Sequence, residues 1–117
     1  MLIPLINKIR DILRSEGITG KDSINHCICF VICRYLDEEV CDKLDIPKKY
    51  SYHSMFVGDD GKKLSELDIF RKFFTTASRD CLIYYLNKNL NMSMIKTFNV
   101  KSPINLFNIL TLLEPLN

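Results

Sequence analysis

Three thiols and an imidazole crowd one short stretch of this sequence, His26, Cys27, Cys29 and Cys33. Such a set would suit a zinc ion, but the spacing does not. Residues two apart on a helix point about 200 degrees from each other, and structural zinc sites place their C-x2-4-C knuckles in loops. The run is otherwise apolar, so the thiols are expected to pack as small core side chains, with no metal and no cofactor. His26 and His53 are the only imidazoles. Pairing one with Cys41 or Cys81 would give the nucleophile of a small hydrolase. No nucleophile signature of the G-x-S-x-G kind accompanies them, however, and His26 opens an apolar helix where a satisfied hydrogen bond is the plainer role.

Cations interleaved with rings offer a different chemistry. Lys48-Lys49-Tyr50-Ser51-Tyr52-His53 is followed by Lys62-Lys63 and then Arg71-Lys72. That mixture suits phosphate contact, and a helix start near Lys21, Asp22 and Ser23 would add backbone donors. Lys21, Lys48, Lys49, Lys62, Lys63, Arg71 and Lys72 are therefore the candidate contacts to double-stranded DNA; the competing reading makes them solubilising residues. The acidic run Asp37, Glu38, Glu39, Asp42 and Asp45 surrounds a helix end and is expected to form a solvated face.

These residues must be carried by one ordinary domain. The 117 residues hold 16 Lys plus Arg against 14 Asp plus Glu, a formal charge of +2, and 47% are hydrophobic. That is enough apolar matter for a single core, and too little charge for strong non-specific nucleic-acid binding without a local patch. Four glycines, at 17, 20, 58 and 61, fit no nucleotide-binding fingerprint. No stretch reaches the roughly 18 apolar residues of a membrane span, and Pro4 with the early Lys8 and Arg10 does not make a secretory signal. Five cysteines, an odd number, fit reduced thiols in an intracellular setting.

The positioning elements read as an all-α, compact bundle of four to five helices. Leu2, Leu5, Ile6, Ile9, Ile12 and Leu13 recur at helical spacing until Gly17. Asp22 or Ser23 is the expected cap of a second helix, whose residues 24–36 are apolar on nearly all sides; this predicts a central spine with Ile28 and Ile32 in the core. A short continuation reaches Pro47, and 47–63 is a long loop with room for one turn or hairpin. Ser65 with Asp68 resembles a capping box ahead of Leu67, Ile69, Phe70, Phe73 and Phe74, and Ser78 is the expected cap of the next helix. Residues 94–100 alternate weakly, as a short strand or as coil. Ser102-Pro103 opens a last helix that should turn Ile104, Phe107, Leu110 and Leu113 inward.

Residues 7–14, the loop 17–20 and above all Ser23-Ile24-Asn25-His26-Cys27-Ile28-Cys29-Phe30-Val31-Ile32-Cys33-Arg34-Tyr35-Leu36-Asp37-Glu38 resemble the N-terminal helical domain of the modification subunit of type I restriction-modification systems and related adenine-N6 DNA methylases. In that family an amphipathic helix precedes a long apolar helix ending in a basic residue, an aromatic, an aliphatic and an acid, the places held here by Arg34, Tyr35, Leu36 and Asp37. The resemblance implies a non-catalytic module that helps to clamp DNA and contacts other subunits of a methylase complex. It implies no methyltransferase site in this chain: the family's [ND]-P-P-[FY] motif is missing, because the prolines at 4, 47, 103 and 115 stand alone. The bias towards Ile, Asn and Lys points to an AT-rich genome, that of a large DNA virus in its host cell or of a low-GC bacterium. The alternative is a stand-alone helical interaction or structural protein without a nucleic-acid role, including a homo-oligomer built through Phe70, Phe73 and Phe74.

Overall fold

The computed structural model describes residues 2–75, 77–90 and 98–117. Among them are six α-helices: α1 (Leu2–Ser15), α2 (Gly20–Arg34), α3 (Glu38–Lys43), α4 (Glu66–Phe73), α5 (Leu82–Leu90) and α6 (Pro103–Leu112). Two 3-10 turns, Lys48–Tyr50 and His53–Phe56, lie between α3 and α4. One isolated antiparallel bridge, Val57 to Lys63, closes the Asp59-Asp60-Gly61 turn, so the expected hairpin exists only as this minimal pairing. The radius of gyration is 13.3 Å, against about 13 Å for a compact chain of this length.

Local chemistry fixes most boundaries. Helix α1 stops at a left-handed Gly17 (φ 78°), with the Ile18 amide on the Leu13 carbonyl and the Gly17 amide on that of Arg14. Both Leu13 and Ile18 are buried, which supplies the apolar contact that this stop motif normally carries. The same stop recurs after α3, where Asp45 takes the left-handed position (φ 56°) and the Ile46 amide reaches the Cys41 carbonyl. Asp37 caps α3 through Val40, Ser65 caps α4 through Asp68, and Ser102 caps α6 through Asn105 with Pro103 in the first turn.

Three expected caps or faces differ. Helix α2 starts at Gly20, earlier than Asp22 or Ser23, behind Thr19, whose side chain makes no cap bond. Ser23 is instead buried and accepts a hydrogen bond from Arg10 Nε at 3.2 Å. Ser78 accepts from the Asp80 amide in a bend ahead of α5 rather than capping it. In α6, Ile104 faces outward and Phe107 is half-buried, while Leu106, Ile109, Leu110 and Leu113 form the buried stripe. The strand expected over 94–100 falls largely outside the described residues; Phe98 and Val100 are buried without regular structure.

The largest correction concerns α2. Its buried residues are His26, Cys27, Cys29, Phe30 and Cys33, whereas Ile24 is 50% and Ile28 42% exposed and Ile32 is half-buried. A helix that is apolar all round reads as buried all round, but in this fold α2 turns one side to α1, α6 and, through Phe30, to Phe73 of α4, and its other side stays partly open. Cys27, Cys29 and Cys33 take the inner side together with His26 and Phe30, and the isoleucines remain outside. The deep core is aromatic: Phe30 stacks on Phe73 (5.8 Å between centroids), and Phe98 contacts Phe30, Phe73 and Phe74. Phe73 has no exposed surface and is committed to this core, whereas Phe70 and Phe74 are half-buried.

In a denaturant titration, Phe30→Ala is expected to cost about 3–5 kcal/mol and Ile28→Ala less than about 1 kcal/mol. Equal losses would return Ile28 to the core.

Candidate functional site

The Arg34-Tyr35-Leu36-Asp37 tetrapeptide makes four different joints where α2 ends. The Arg34 guanidinium donates to the carbonyls of Leu113 (3.0 Å) and Glu114 (3.2 Å), just past α6, and lies 4.7 Å over the Tyr52 ring. A cation at a helix C-terminus and over an aromatic face is favourable on both counts. Tyr35 donates its hydroxyl to the Asn117 carbonyl at 2.6 Å. Leu36 is buried, and its carbonyl accepts the Tyr52 amide at 2.7 Å; Asp37 caps α3. Tyr52 itself donates to the Leu110 carbonyl, so the 51–52 corner is sewn to both α2 and α6.

The candidate DNA contacts do not form one uniform patch. Lys48 pairs with Asp42 at 3.5 Å and Arg71 with Asp68 at 3.6 Å, both at exposed positions. Lys49 lies over the Tyr50 ring. Lys72 turns inward: its ammonium donates to the carbonyls of Ser54 (2.7 Å) and Val57 (3.1 Å), tying α4 to the preceding turn. Burial pushes its pKa down, with Asp59 opposing and Lys49 adding to the shift. Lys62 and Lys63 are exposed beside the Val57 bridge, and Lys21 stands apart in the first turn of α2. From Asp37 to Lys72 nine acids accompany seven bases, so this stretch carries −2 and the rest of the chain +4.

The thiols and one of the two imidazoles lie inside the fold. All five cysteines are buried and free. Burial raises the pKa of Cys27 and of Cys41, and for Cys33 a hydrogen bond with Cys29 together with burial raises it strongly, which disfavours the thiolate. His26 is buried with both ring nitrogens engaged: Nδ1 donates to the Asp22 carbonyl at 2.7 Å, and Nε2 accepts the Asn99 amide at 3.0 Å. That pair of bonds selects the neutral Nδ1–H tautomer. Exposed His53 faces Glu114 at 3.9 Å. Among the described residues no group of three or more His, Cys, Asp or Glu is placed to hold a metal ion.

What the elements do build is a groove. Pro4, Leu5, Lys8 and Ile12 of α1 face Asn108, Thr111 and Leu112 of α6 and the following Pro115 and Leu116, around a cavity of about 750 Å³. Leu5, Ile12, Leu112 and Leu116 are half-buried, and Lys8 is the one charged residue in the lining. Sequence reasoning misses this groove. Its signal is the surplus of aliphatic residues on and just past α6 beyond the stripe its own core uses, Leu112 and Leu116 above all, but nothing in one helix shows which neighbour will stop short of covering it.

No protein-family model matches the chain, and no curated protein or solved structure matches it. The site therefore stands on its own geometry.

Burial raises the Tyr52 pKa to about 12, with Glu114 adding to the rise and Arg34 opposing it; an unfolded tyrosine titrates near 10. The unfolded chain thus loses this proton first, so the stability from Tyr52 is complete below about pH 10 and drains away as pH rises through about 12. Burial raises the Tyr50 pKa as well, so urea midpoints followed from pH 8 to 12 should fall along a shared limb, and Tyr52→Phe should make it shallower without abolishing it. An identical slope in the variant would remove Tyr52 as its source.

Proposed function

We propose that this chain is a non-catalytic helical module of a type I-like adenine-N6 DNA methyltransferase, and that its principal task is to dock on another subunit. The observation that carries the docking role is the α1–α6 groove, an apolar channel with one cation on its rim. Grooves of this form take the apolar face of an amphipathic helix as i, i+3, i+4 and i+7 anchors. Lys8 favours a helix with a carboxylate beside its apolar stripe, since a desolvated cation needs a partner. The methylase assignment rests on the sequence resemblance over residues 7–14, 17–20 and 23–38, whose closing tetrapeptide, Arg34 to Asp37, is the joint that holds α6 against α2.

DNA contact is the second part of the proposal. It falls to Lys49, Lys62 and Lys63, exposed lysines outside the ion pairs that occupy Lys48 and Arg71. Because acids outnumber bases around them, the isolated domain should bind duplex weakly and gain affinity only in an assembly that supplies more phosphate contacts. The mixed charge equally favours the other reading, a stand-alone interaction protein that uses the same groove without nucleic acid.

Two titrations separate these readings. Against purified subunits of a type I-like methylase, the chain should bind and Leu112→Asp should abolish binding. Against short duplexes at several salt concentrations, replacing Lys49, Lys62 and Lys63 by Ala should weaken binding for every sequence and reduce the salt slope by roughly one unit for each phosphate left without its lysine. Subunit binding without any duplex binding would leave the interaction protein; the absence of both would end the methylase proposal.

A further inference from the structure

The chain enters α6 with its backbone hung from two titratable side chains. His26 Nε2, on α2, accepts the Asn99 amide at 3.0 Å, and the Glu16 carboxylate, just past α1, accepts the amides of Lys101 at 2.9 Å and Ser102 at 3.1 Å. Residues 98–102 have no regular structure, yet Phe98 and Val100 are buried, so bonds from two different helices hold an irregular strap against the core. The imidazole also stacks on Phe98, 5.4 Å between centroids, and Phe98 meets Phe30, Phe73 and Phe74. The bond at Asn99 therefore positions a ring of the deep core. Protonation changes what each acceptor can do. A neutral imidazole with its proton on Nδ1 has one acceptor, Nε2, whereas an imidazolium has none and would turn an N–H towards the Asn99 N–H. Nδ1 offers no relief, because it already donates to the Asp22 carbonyl at 2.7 Å. A protonated carboxyl is likewise a weaker acceptor than the carboxylate that takes two amides here.

We infer that His26 and Glu16 form an acid-sensitive latch on residues 98–102, closed while the imidazole is neutral and the carboxylate ionised, and released in two steps as the pH falls. This goes beyond the docking role of the groove and does not depend on the methylase reading. The charged and titratable groups around the ring come from three elements. On the α1 side stand Arg10, whose Nε donates to Ser23 one turn before His26, and Glu16. Helix α2 adds Asp22, which is exposed and offers the ring its carbonyl, and the thiols of Cys27 and Cys29; the strap adds Lys101. Helix α6 carries no charged residue, and α4 meets Phe98 with Phe73 and Phe74. Arg10 and Lys101 oppose a further positive charge, and the Glu16 carboxylate is occupied by two amides. In an unfolded chain histidine titrates near 6.5 and glutamate near 4.3. The folded chain gains each proton by giving up or weakening an amide bond, so the latch is complete above about pH 6.5, loses Asn99 as the pH falls past the imidazole range, and loses Lys101 and Ser102 past the carboxylate range. Protonation of a histidine that biases a two-state contact is a general form of pH switch.

The test is nuclear magnetic resonance on the full chain, reading the ring nitrogens of His26 and the exchange protection of the Asn99, Lys101 and Ser102 amides in the same samples from about pH 7.5 to about pH 4. Near neutrality the His26 ring should be the Nδ1–H tautomer. Protection at Asn99 should fall by up to about tenfold per pH unit below the imidazole range while the amides of Phe30 and Ile109 stay protected. Lys101 and Ser102 should follow only in the carboxylate range. His26→Gln, whose side-chain oxygen can accept the Asn99 amide without titrating, should level the first step, and Glu16→Gln should level the second. His53 is exposed, and His53→Gln should leave both steps in place. An Nε2–H ring near neutrality, constant Asn99 protection while the ring titrates, or an equal fall in His26→Gln would each overturn the latch. So would a loss at Asn99 that comes only together with Phe30 and Ile109, which is global unfolding. Should His26→Gln fail to fold, the ring and amide readings of the wild type decide by themselves.

Discussion

The structure depends on one guanidinium. Arg34 ends α2 with its charge against the last carbonyls of α6 and its plane over Tyr52, and the elements on either side take their places from that contact. Tyr52 holds the Leu110 carbonyl and the Leu36 carbonyl together, which fixes where the chain re-enters after α3. A lysine could supply the charge at this corner but neither the two-carbonyl fork nor the flat face. The far end of α6 is held in a parallel way: the Glu16 carboxylate, just past α1, accepts the amides of Lys101 (2.9 Å) and Ser102 (3.1 Å). One residue of each charge sign thus satisfies the free backbone groups at opposite ends of the same helix.

This arrangement changes the meaning of the tetrapeptide that closes the stretch quoted for the resemblance. Arg34, Tyr35, Leu36 and Asp37 each make a bond or a burial that the fold needs, so the pattern of base, aromatic, aliphatic and acid is a structural signature before it is a functional one. It specifies how a long apolar helix hands over to the next element. The signature leaves the α1–α6 groove and the outer face of α2 unfilled.

Much of the fold is legible in the sequence because it is written in short-range chemistry. Gly17, Ser65 and Ser102-Pro103 punctuate the helices where capping and stop rules place them, and the all-α class follows from the period of the apolar residues. The faces of α2 and α6 are not legible. Where a helix is apolar on every side, periodicity carries no phase, and only the number of packed neighbours decides which side stays open. The cations escape sequence reasoning for a related reason. Lys72, Lys48 and Arg71 look alike in sequence, yet carbonyls from another element, an acid on the preceding helix and an acid three residues back dispose of them separately. The groove is hidden for the same reason as the open face of α2, since it is defined by what fails to cover it.

The bonds that hold α6 also set when the protein can fold. Arg34 reaches 79 residues along the chain and Glu16 as many as 86, and α4, whose Phe73 meets Phe30 in the core, packs more extensively on α6 than on any other helix. During synthesis α1 and α2 emerge well before α6, yet the carbonyls and aliphatic stripe they require belong to that helix and the residues just past it. The core therefore closes after translation of α6 rather than helix by helix, and until then the outward isoleucines and inward thiols of α2 are equally bare. Such a chain is most exposed to wrong association while it is still attached to the ribosome.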